Sequence, residues 1–105
     1  MRTHRLIEID WPEYSMPVAP ARPSRDSLLA NLSAMRAAMD GRGYTHLVVY
    51  ADREHFGNML WATGFDPRFE EAVLVVKPSG KPVLIVGNEC YDYTQVSALV
   101  VAGDL

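Results

Sequence analysis

Apolar residues recur with the spacing of one helix face in the segment that begins at residue 24. They are separated by four, three and four positions, which places them on a single stripe of an amphipathic helix: Leu28, Leu32, Met35 and Met39. Ser24 is a favourable N-cap, and Gly41 follows the last apolar residue closely, as is common at helix C-termini. The pattern therefore predicts a helix over residues 25–40 whose apolar side chains belong to a core.

Three short apolar runs predict β-strands. Residues 45–50 form a run of β-branched and apolar residues that is typical of a buried strand. Residues 73–76 and 83–86 form two more runs, and the loop between them contains the Pro and Gly residues of a hairpin turn. Because a helix precedes a strand that is apolar throughout, the order of elements favours an α/β fold over a helical bundle.

A second helix is predicted between the first and second strands. Asp52 is a suitable N-cap for a helix over residues 53–62, in which His55, Met59 and Ala62 share one face. A Thr-Gly pair follows and ends the pattern.

The C-terminal part of the chain carries a weaker pattern. Residues 91–99 are compatible with a last helix or an irregular segment, and residues 99–101 with the start of another strand. The sequence stops at Leu105 without a polar tail or a helix cap. We therefore expect that these residues are a fold unit truncated before a further domain.

The first 23 residues predict an extended arm. Residues 5–10 are compatible with a short strand or an extended segment. Trp11, Tyr14 and Met16 are apolar enough that we expect them to pack on the domain or on a partner subunit; a disordered leader is the alternative. The chain thus divides into an arm, residues 1–23, and an α/β domain, residues 24–105. Four prolines exclude a helix in the arm after residue 11: Pro12, Pro17, Pro20 and Pro23.

Composition narrows the class of protein. A chain of 105 residues has the size of one domain, and 49% hydrophobic with 22% charged residues is ordinary for a globular protein. A net charge of −3 gives no general attraction to nucleic acid or to an anionic membrane. No apolar run approaches the ~18 residues of a membrane helix, and the charged N-terminus lacks the apolar core of a signal peptide. With only one cysteine as well, we expect a cytoplasmic protein without nucleic-acid or membrane partners.

Acidic and histidine side chains are concentrated in two strings, one on each side of the second predicted helix. If the helix folds back, the strings could form an acid–base cluster around a histidine that titrates near neutrality. The alternative is that the first acid caps the helix and the others are solvated, because such charges normally lie on exposed surfaces. The residues concerned are Asp52, Glu54, His55, Asp66, Glu70 and Glu71.

Metal and nucleophilic sites are not predicted from the residues themselves. His4, His46 and His55 fall on three separate elements and match no metal-binding motif, so we expect no metal site in this chain. Cys90 has acidic neighbours in Glu89 and Asp92, and negative charge raises a thiol pKa. Cys90 is therefore predicted to be a semi-buried structural cysteine, and no catalytic residue is assigned.

The order of these elements resembles the N-terminal domain of the creatinase and Xaa-Pro peptidase family. The resemblance covers about residues 24–88 and comes from the order of several short pieces, none of which is a catalytic signature. Those pieces are Gly41-Arg42-Gly43, Leu47-Val48-Val49-Tyr50, Asn58, Thr63-Gly64-Phe65, Val73-Leu74-Val75-Val76 and Pro82-Val83-Leu84-Ile85-Val86.

The resemblance implies a fold, and it implies that catalysis belongs to a separate domain. It implies an α/β domain with a mixed, ribonuclease-H-like sheet flanked by helices. In the family this domain precedes a "pita-bread" catalytic domain, in which two Asp, one His and two Glu bind a pair of divalent metal ions such as Mn, Zn or Co. This sequence contains no counterpart of that catalytic domain. By analogy the chain would be a non-catalytic domain that forms a homodimer and caps a catalytic pocket.

Arg68 is the candidate for a contact with such a pocket. It follows Asp66-Pro67 in a loop, and Phe65 and Phe69 lie on either side of it. A guanidinium held by a restricted backbone can bind a carboxylate of a substrate or of a partner subunit. We hypothesise that Arg68, Phe69 and His55 face the pocket of a partner. The alternative is a surface arginine paired with a neighbouring glutamate.

Three function classes remain open at this point. The first is the non-catalytic N-terminal domain of a metal-dependent hydrolase, the second is a free-standing binding module of the same fold, and the third is a small hydrolase that uses the His55 cluster. A domain separated from its partner is expected to expose an apolar patch larger than a monomer normally carries. The predicted patch contains Trp11, Tyr14, Trp61, Phe65 and Phe69.

Overall fold

A computed structural model describes residues 3–15 and 21–105 of the chain. Helix α1 spans Arg25–Asp40, strand β1 spans Leu47–Ala51 and helix α2 spans Gly57–Thr63. Strands β2 and β3 span Ala72–Val76 and Val83–Val86. A 3₁₀ helix at Asp92–Val96 and a single-turn helix α3 at Ala98–Val101 follow. The protein is therefore an α/β domain, as the sequence predicts.

Helix α1 forms where the apolar stripe predicts it. The side chain of Ser24 accepts a hydrogen bond from the Ser27 N–H and caps the helix, which ends at Gly41. The helix is tied to the rest of the domain at its middle, where Asn31 donates to the Trp61 carbonyl of α2 at 2.8 Å. Arg36 donates to the carbonyl oxygens of Lys77 and Gly80 in the loop between β2 and β3.

The three strands form one antiparallel sheet in the order β1-β2-β3. Leu47 pairs with Val76 and Ala51 with Ala72, while Val75 pairs with Val83 across the hairpin. The mixed sheet implied by the resemblance is not present in residues 3–15 and 21–105, where both strand pairs are antiparallel. The six-residue loop explains the β2–β3 pair, because it joins the two strands as a hairpin. Strands β1 and β2 are antiparallel although residues 52–71 and helix α2 lie between them.

The core lies between the helices and one face of the sheet. Burial is complete or nearly so for the apolar stripe of α1 and for the inward-facing residues of β2, because these surfaces pack on each other. The core contains Leu28, Leu32, Met35, Met39, Ala51, Met59, Ala62, Phe65, Ala72, Leu74, Val76, Cys90 and Leu99. The Leu and Met residues assigned to the core from their spacing are confirmed.

The second helix is four residues shorter at its start than the sequence predicts. Asp52 makes the hydrogen bonds of an N-cap, since its carboxylate accepts from the N–H groups of Glu54 and His55, but these bonds close an isolated turn after which the chain does not continue as a helix. The helix begins only at Gly57. His55 therefore lies in the preceding loop, and its predicted place on one helix face with Met59 is wrong.

The C-terminal segment is helical where a strand was one expectation. Residues 99–101 belong to α3 because the Ser97 hydroxyl accepts a hydrogen bond from the Leu99 N–H and caps the turn. Leu99 is fully buried. Arg25 and Asp104 form an ion pair at 2.6 Å that joins the start of α1 to the end of the chain.

The N-terminal residues 3–15 contain no helix or strand. Trp11 and Tyr14 are 85% and 76% exposed, so they do not pack on their own domain, and packing on a partner subunit stays a prediction. Met16, Pro17 and Pro20 lie outside the described residues. In the described ranges, no helix combines the length and apolar character needed to cross a bilayer.

Candidate functional site

The backbone of Arg68 is held in a left-handed conformation. Its φ of 63° is the one positive value at a non-glycine residue in the described ranges. The Asp66 carboxylate stabilises this turn by accepting a hydrogen bond from the Arg68 N–H at 2.8 Å. A left-handed arginine is uncommon and costs conformational energy, so the turn fixes where its side chain emerges.

The Arg68 guanidinium is supported on two sides. It lies 3.8 Å from the Asp66 carboxylate and 5.9 Å from the centre of the Tyr93 ring. The ring face attracts the cation, while the side chain of Arg68 remains 60% exposed. The expected alternative, pairing with Glu70 or Glu71, is wrong because the tight turn brings Asp66 closer. The guanidinium is thus oriented and accessible to an anionic group.

Phe65 is part of the core and not of the surface. It is completely buried, and its ring lies 6.0 Å from that of Tyr93 at 52°. Its N–H donates to the Thr63 hydroxyl, which in turn donates to the Met59 carbonyl. The prediction that Phe65 belongs to an exposed apolar patch is therefore wrong. Phe65 instead anchors the loop that carries Arg68.

Phe69 is 66% exposed and lies on a different depression from Arg68. Phe69 lines a depression of about 590 Å³ together with Tyr50 and Glu71. Arg68 lines one of about 490 Å³ together with Pro23 and Tyr93. The two predicted contact residues are thus adjacent in the chain but present two separate surfaces.

Glu70 and Cys90 form a structural contact behind the loop. The Glu70 carboxylate accepts a hydrogen bond from the Cys90 N–H at 2.8 Å, and the Cys90 thiol lies 3.0 Å from the Pro67 carbonyl. Burial raises the pKa of the Cys90 thiol, and the Glu70 carboxylate raises it further. The prediction of a structural cysteine is confirmed, with Glu70 and not Glu89 as the nearest acidic group.

His55 forms a pair with Asp52 at the other end of the site. The His55 ring Nδ1 lies 3.0 and 3.2 Å from the two carboxylate oxygens. The hydrogen bond from the Glu54 N–H, with further bonds from His55, lowers the pKa of Asp52 below its ordinary value. The His55 side chain is 74% exposed, so it is free to contact a second molecule.

Tyr50 lies between the two acidic strings. Its hydroxyl donates to the Glu71 carboxylate at 3.1 Å. Partial burial raises the pKa of Tyr50, and the negative charges of Glu71 and Asp52 add to the effect. Tyr50 and Tyr93 were not among the candidates from the sequence, because their roles depend on residues about 20 positions or more away.

The acid–base cluster proposed as one alternative does not assemble. The strings separate into Asp52 with His55, Asp66 with Arg68, and Glu70 with Cys90. In residues 3–15 and 21–105, no three His, Cys, Asp or Glu side chains come together as a set that could bind a metal ion. The Arg68 guanidinium, oriented by Asp66 and exposed, suits binding of an anionic group.

Comparisons of the chain were made with protein-family models, with curated proteins and with solved structures. None of these comparisons finds a match. The functional conclusion therefore depends on the residues and their geometry.

Proposed function

We propose that the chain is the non-catalytic N-terminal domain of a metal-dependent hydrolase of the Xaa-Pro peptidase or creatinase type. Its role is to form a homodimer and to cap a catalytic pocket. The observation that carries the proposal is the Arg68 turn, where a strained backbone presents an accessible cation. The sequence resemblance supplies the family.

The proposal also specifies the type of α/β fold and the location of the metal ions. We assign the α/β domain to the ribonuclease-H-like type, completed by strands outside the described residues. The two divalent metal ions, Mn, Zn or Co, belong to the catalytic domain. The described side chains do not fit such a centre, because no three acidic, histidine or cysteine side chains among them come together. The same assignment places the protein in the cytoplasm.

The contact residues have distinct roles in this proposal. Arg68 binds a carboxylate of the substrate or of the partner, because its guanidinium is exposed and oriented by Asp66. Phe69 provides an exposed aromatic side chain on a separate surface from Arg68. His55 adds a hydrogen-bonding group from the loop before α2, with its ring position set by Asp52.

The reading frame beyond Leu105 tests the assignment. A downstream region that supplies two Asp, one His and two Glu as metal ligands is the expected result. A native gene product that ends near Leu105 would contradict it and favour the free-standing binding module. That second function is supported by the exposed aromatic and imidazole side chains, which need no catalytic domain to bind a ligand.

Replacing Arg68 by alanine in the full gene product is expected to raise KM for a Xaa-Pro peptide with little change in kcat. Hydrogen bonds to charged groups contribute about 1.5–3 kcal/mol, which corresponds to an increase in KM of about tenfold or more. Steady-state kinetics measure this effect. Arg53→Ala is the matched control, since Arg53 is also exposed. Equal KM values for Arg68→Ala and the wild type would exclude the proposed contact.

A further inference from the structure

The sheet has an apolar face that points away from the helices. Alternate residues of the three strands share this surface, which we call the outer face. Val48, Tyr50, Val83 and Ile85 are 60%, 49%, 49% and 56% exposed. The complete outer face consists of Val48, Tyr50, Val73, Val75, Val83 and Ile85.

An uncovered outer face is unusual for an antiparallel sheet. Such sheets normally alternate apolar residues toward the core with polar residues toward solvent. Here all six positions of the outer face are apolar or aromatic, although the core already lies on the opposite side. The pattern is that of a sheet with both faces covered. The outer face therefore has the composition of a surface that a second layer covers.

Charges of opposite sign mark the two ends of the outer face. Lys77 follows Val75 at the hairpin end, in the same alternation. The Lys81 ammonium instead lies near Gly103, at the end of the chain. Glu71 lies at the other end of the outer face and accepts the hydrogen bond from Tyr50. A complementary ligand is thus apolar in its middle, with a negative end near Lys77 and a positive end near Glu71.

The N-terminal arm has this complementary pattern. Ile7, Ile9 and Trp11 alternate along an extended segment and are 65%, 69% and 85% exposed. In the same alternation Arg5 precedes them and Glu13 follows them. At ~3.3 Å per residue these two charges are about 26 Å apart, against about 20 Å from Glu71 to Lys77. The long side chains of Arg5 and Lys77 can span the difference of about 6 Å between these two lengths.

A second copy is the occupant that the dimensions favour. The chain measures 73 Å in its longest direction and 28 × 25 Å across. The apolar residues of the arm are exposed and are not covered by the domain of the same copy. Three short strands spaced by ~4.8 Å cover only roughly 240 Å². A stable dimer needs about 800 Å² from each partner, so two outer faces alone are too small. Reciprocal arms add area, since one buried Trp side chain contributes about 150–250 Å².

We propose that the arm of one copy lies across the outer face of a second copy. Ile7, Ile9 and Trp11 cover the apolar residues, with Arg5 toward Glu71 and Glu13 toward Lys77. This arm exchange rests on the homodimer of the proposed function and specifies the surface that forms it.

Disulfide trapping between two differently tagged copies tests the arm exchange. One copy carries Ile9→Cys and the other Ile85→Cys, and we expect oxidation of the mixture to join the two tags. Val101→Cys replaces Ile85→Cys in the control pair, because Val101 is 68% exposed but lies on α3. Cys90 is buried in every variant and is not expected to react. No joined tags, or equal joining in the control pair, would overturn the proposal.

Two further measurements separate the possible occupants. A single copy carrying both Ile9→Cys and Ile85→Cys is expected to form disulfide-linked dimers, and closure within one copy would overturn the exchange. Lys77→Glu is expected to weaken association by about tenfold in sedimentation experiments, and Glu13→Lys to restore it. Charge reversal without effect on association would contradict the assigned direction of the arm.

The oligomeric state distinguishes this proposal from the proposed function. Dimers in sedimentation experiments whose Ile9→Cys and Ile85→Cys copies give no cross-link on oxidation would refute the arm exchange and leave the homodimer intact. A monomer at all accessible concentrations would refute both the exchange and the homodimer. The assignment to a hydrolase is tested independently by the reading frame.

Discussion

Replacing Phe65 by alanine is expected to lower the free energy of unfolding by about 3–5 kcal/mol. Phe65 is completely buried and contacts Tyr93, so the substitution removes apolar contacts and leaves a cavity that the core only partly fills. This is a large fraction of the roughly 5–15 kcal/mol that stabilises a typical domain. Urea denaturation followed by far-UV circular dichroism measures the change.

Phe69→Ala is the matched control for this substitution. Phe69 is the same residue type four positions later, but it is 66% exposed. Its removal is therefore expected to change the free energy of unfolding by no more than about 0.5 kcal/mol. Similar values for the two variants would show that Phe65 does not anchor the loop in the core.

Gly64→Ala is expected to destabilise the domain by about 2–5 kcal/mol. Gly64 ends α2 with a φ of 71°, a left-handed conformation that costs a non-glycine residue roughly 1–2 kcal/mol. A Cβ at this position would also lie 3.2 Å from Cδ1 of Leu28, which is fully buried and has little room to move. Overpacking of this kind adds about 1–3 kcal/mol. Urea denaturation again gives the value.

Gly43→Ala separates the two contributions. Gly43 has a similar φ of 68°, but a Cβ there would meet no atom within 4 Å. It is expected to show only the backbone cost of roughly 1–2 kcal/mol. If Gly43→Ala and Gly64→Ala have equal effects, the close packing of α2 against Leu28 is wrong.

Elements with a regular apolar pattern were predictable from the sequence. The helix over residues 25–40 is confirmed at both ends, because its apolar stripe and its N-cap act within the segment itself. The strand over residues 83–86 is also confirmed, and β1 and β2 differ from the prediction by at most two residues at an end. Local patterns determine these elements.

Errors occur where a side-chain hydrogen bond fits more than one local structure. The bonds that Asp52 accepts from Glu54 and His55 occur both at the start of a helix and in an isolated turn, so spacing alone cannot distinguish the two. Ser97 caps a turn in a run of residues whose pattern is also compatible with a strand.

The candidate site was predictable in its residues but not in its arrangement. His55, Arg68 and Phe69 are exposed, as a contact role requires. Their partners depend on folding, because Tyr93 comes to Arg68 from 25 positions away. Phe65 and Phe69 are the same residue type in the same loop, and only the packing of the loop determines that Phe65 is buried and Phe69 is exposed.

The assay of metal-dependent peptide hydrolysis by the 105-residue polypeptide tests the central claim most directly. The claim is that these residues form a platform and that the groups which cleave a bond lie in another domain. With Mn²⁺ or Zn²⁺ added, and with chelator controls, the account predicts no turnover of Xaa-Pro peptides above background. Metal-dependent turnover that disappears in His55→Ala would contradict it and favour a small hydrolase.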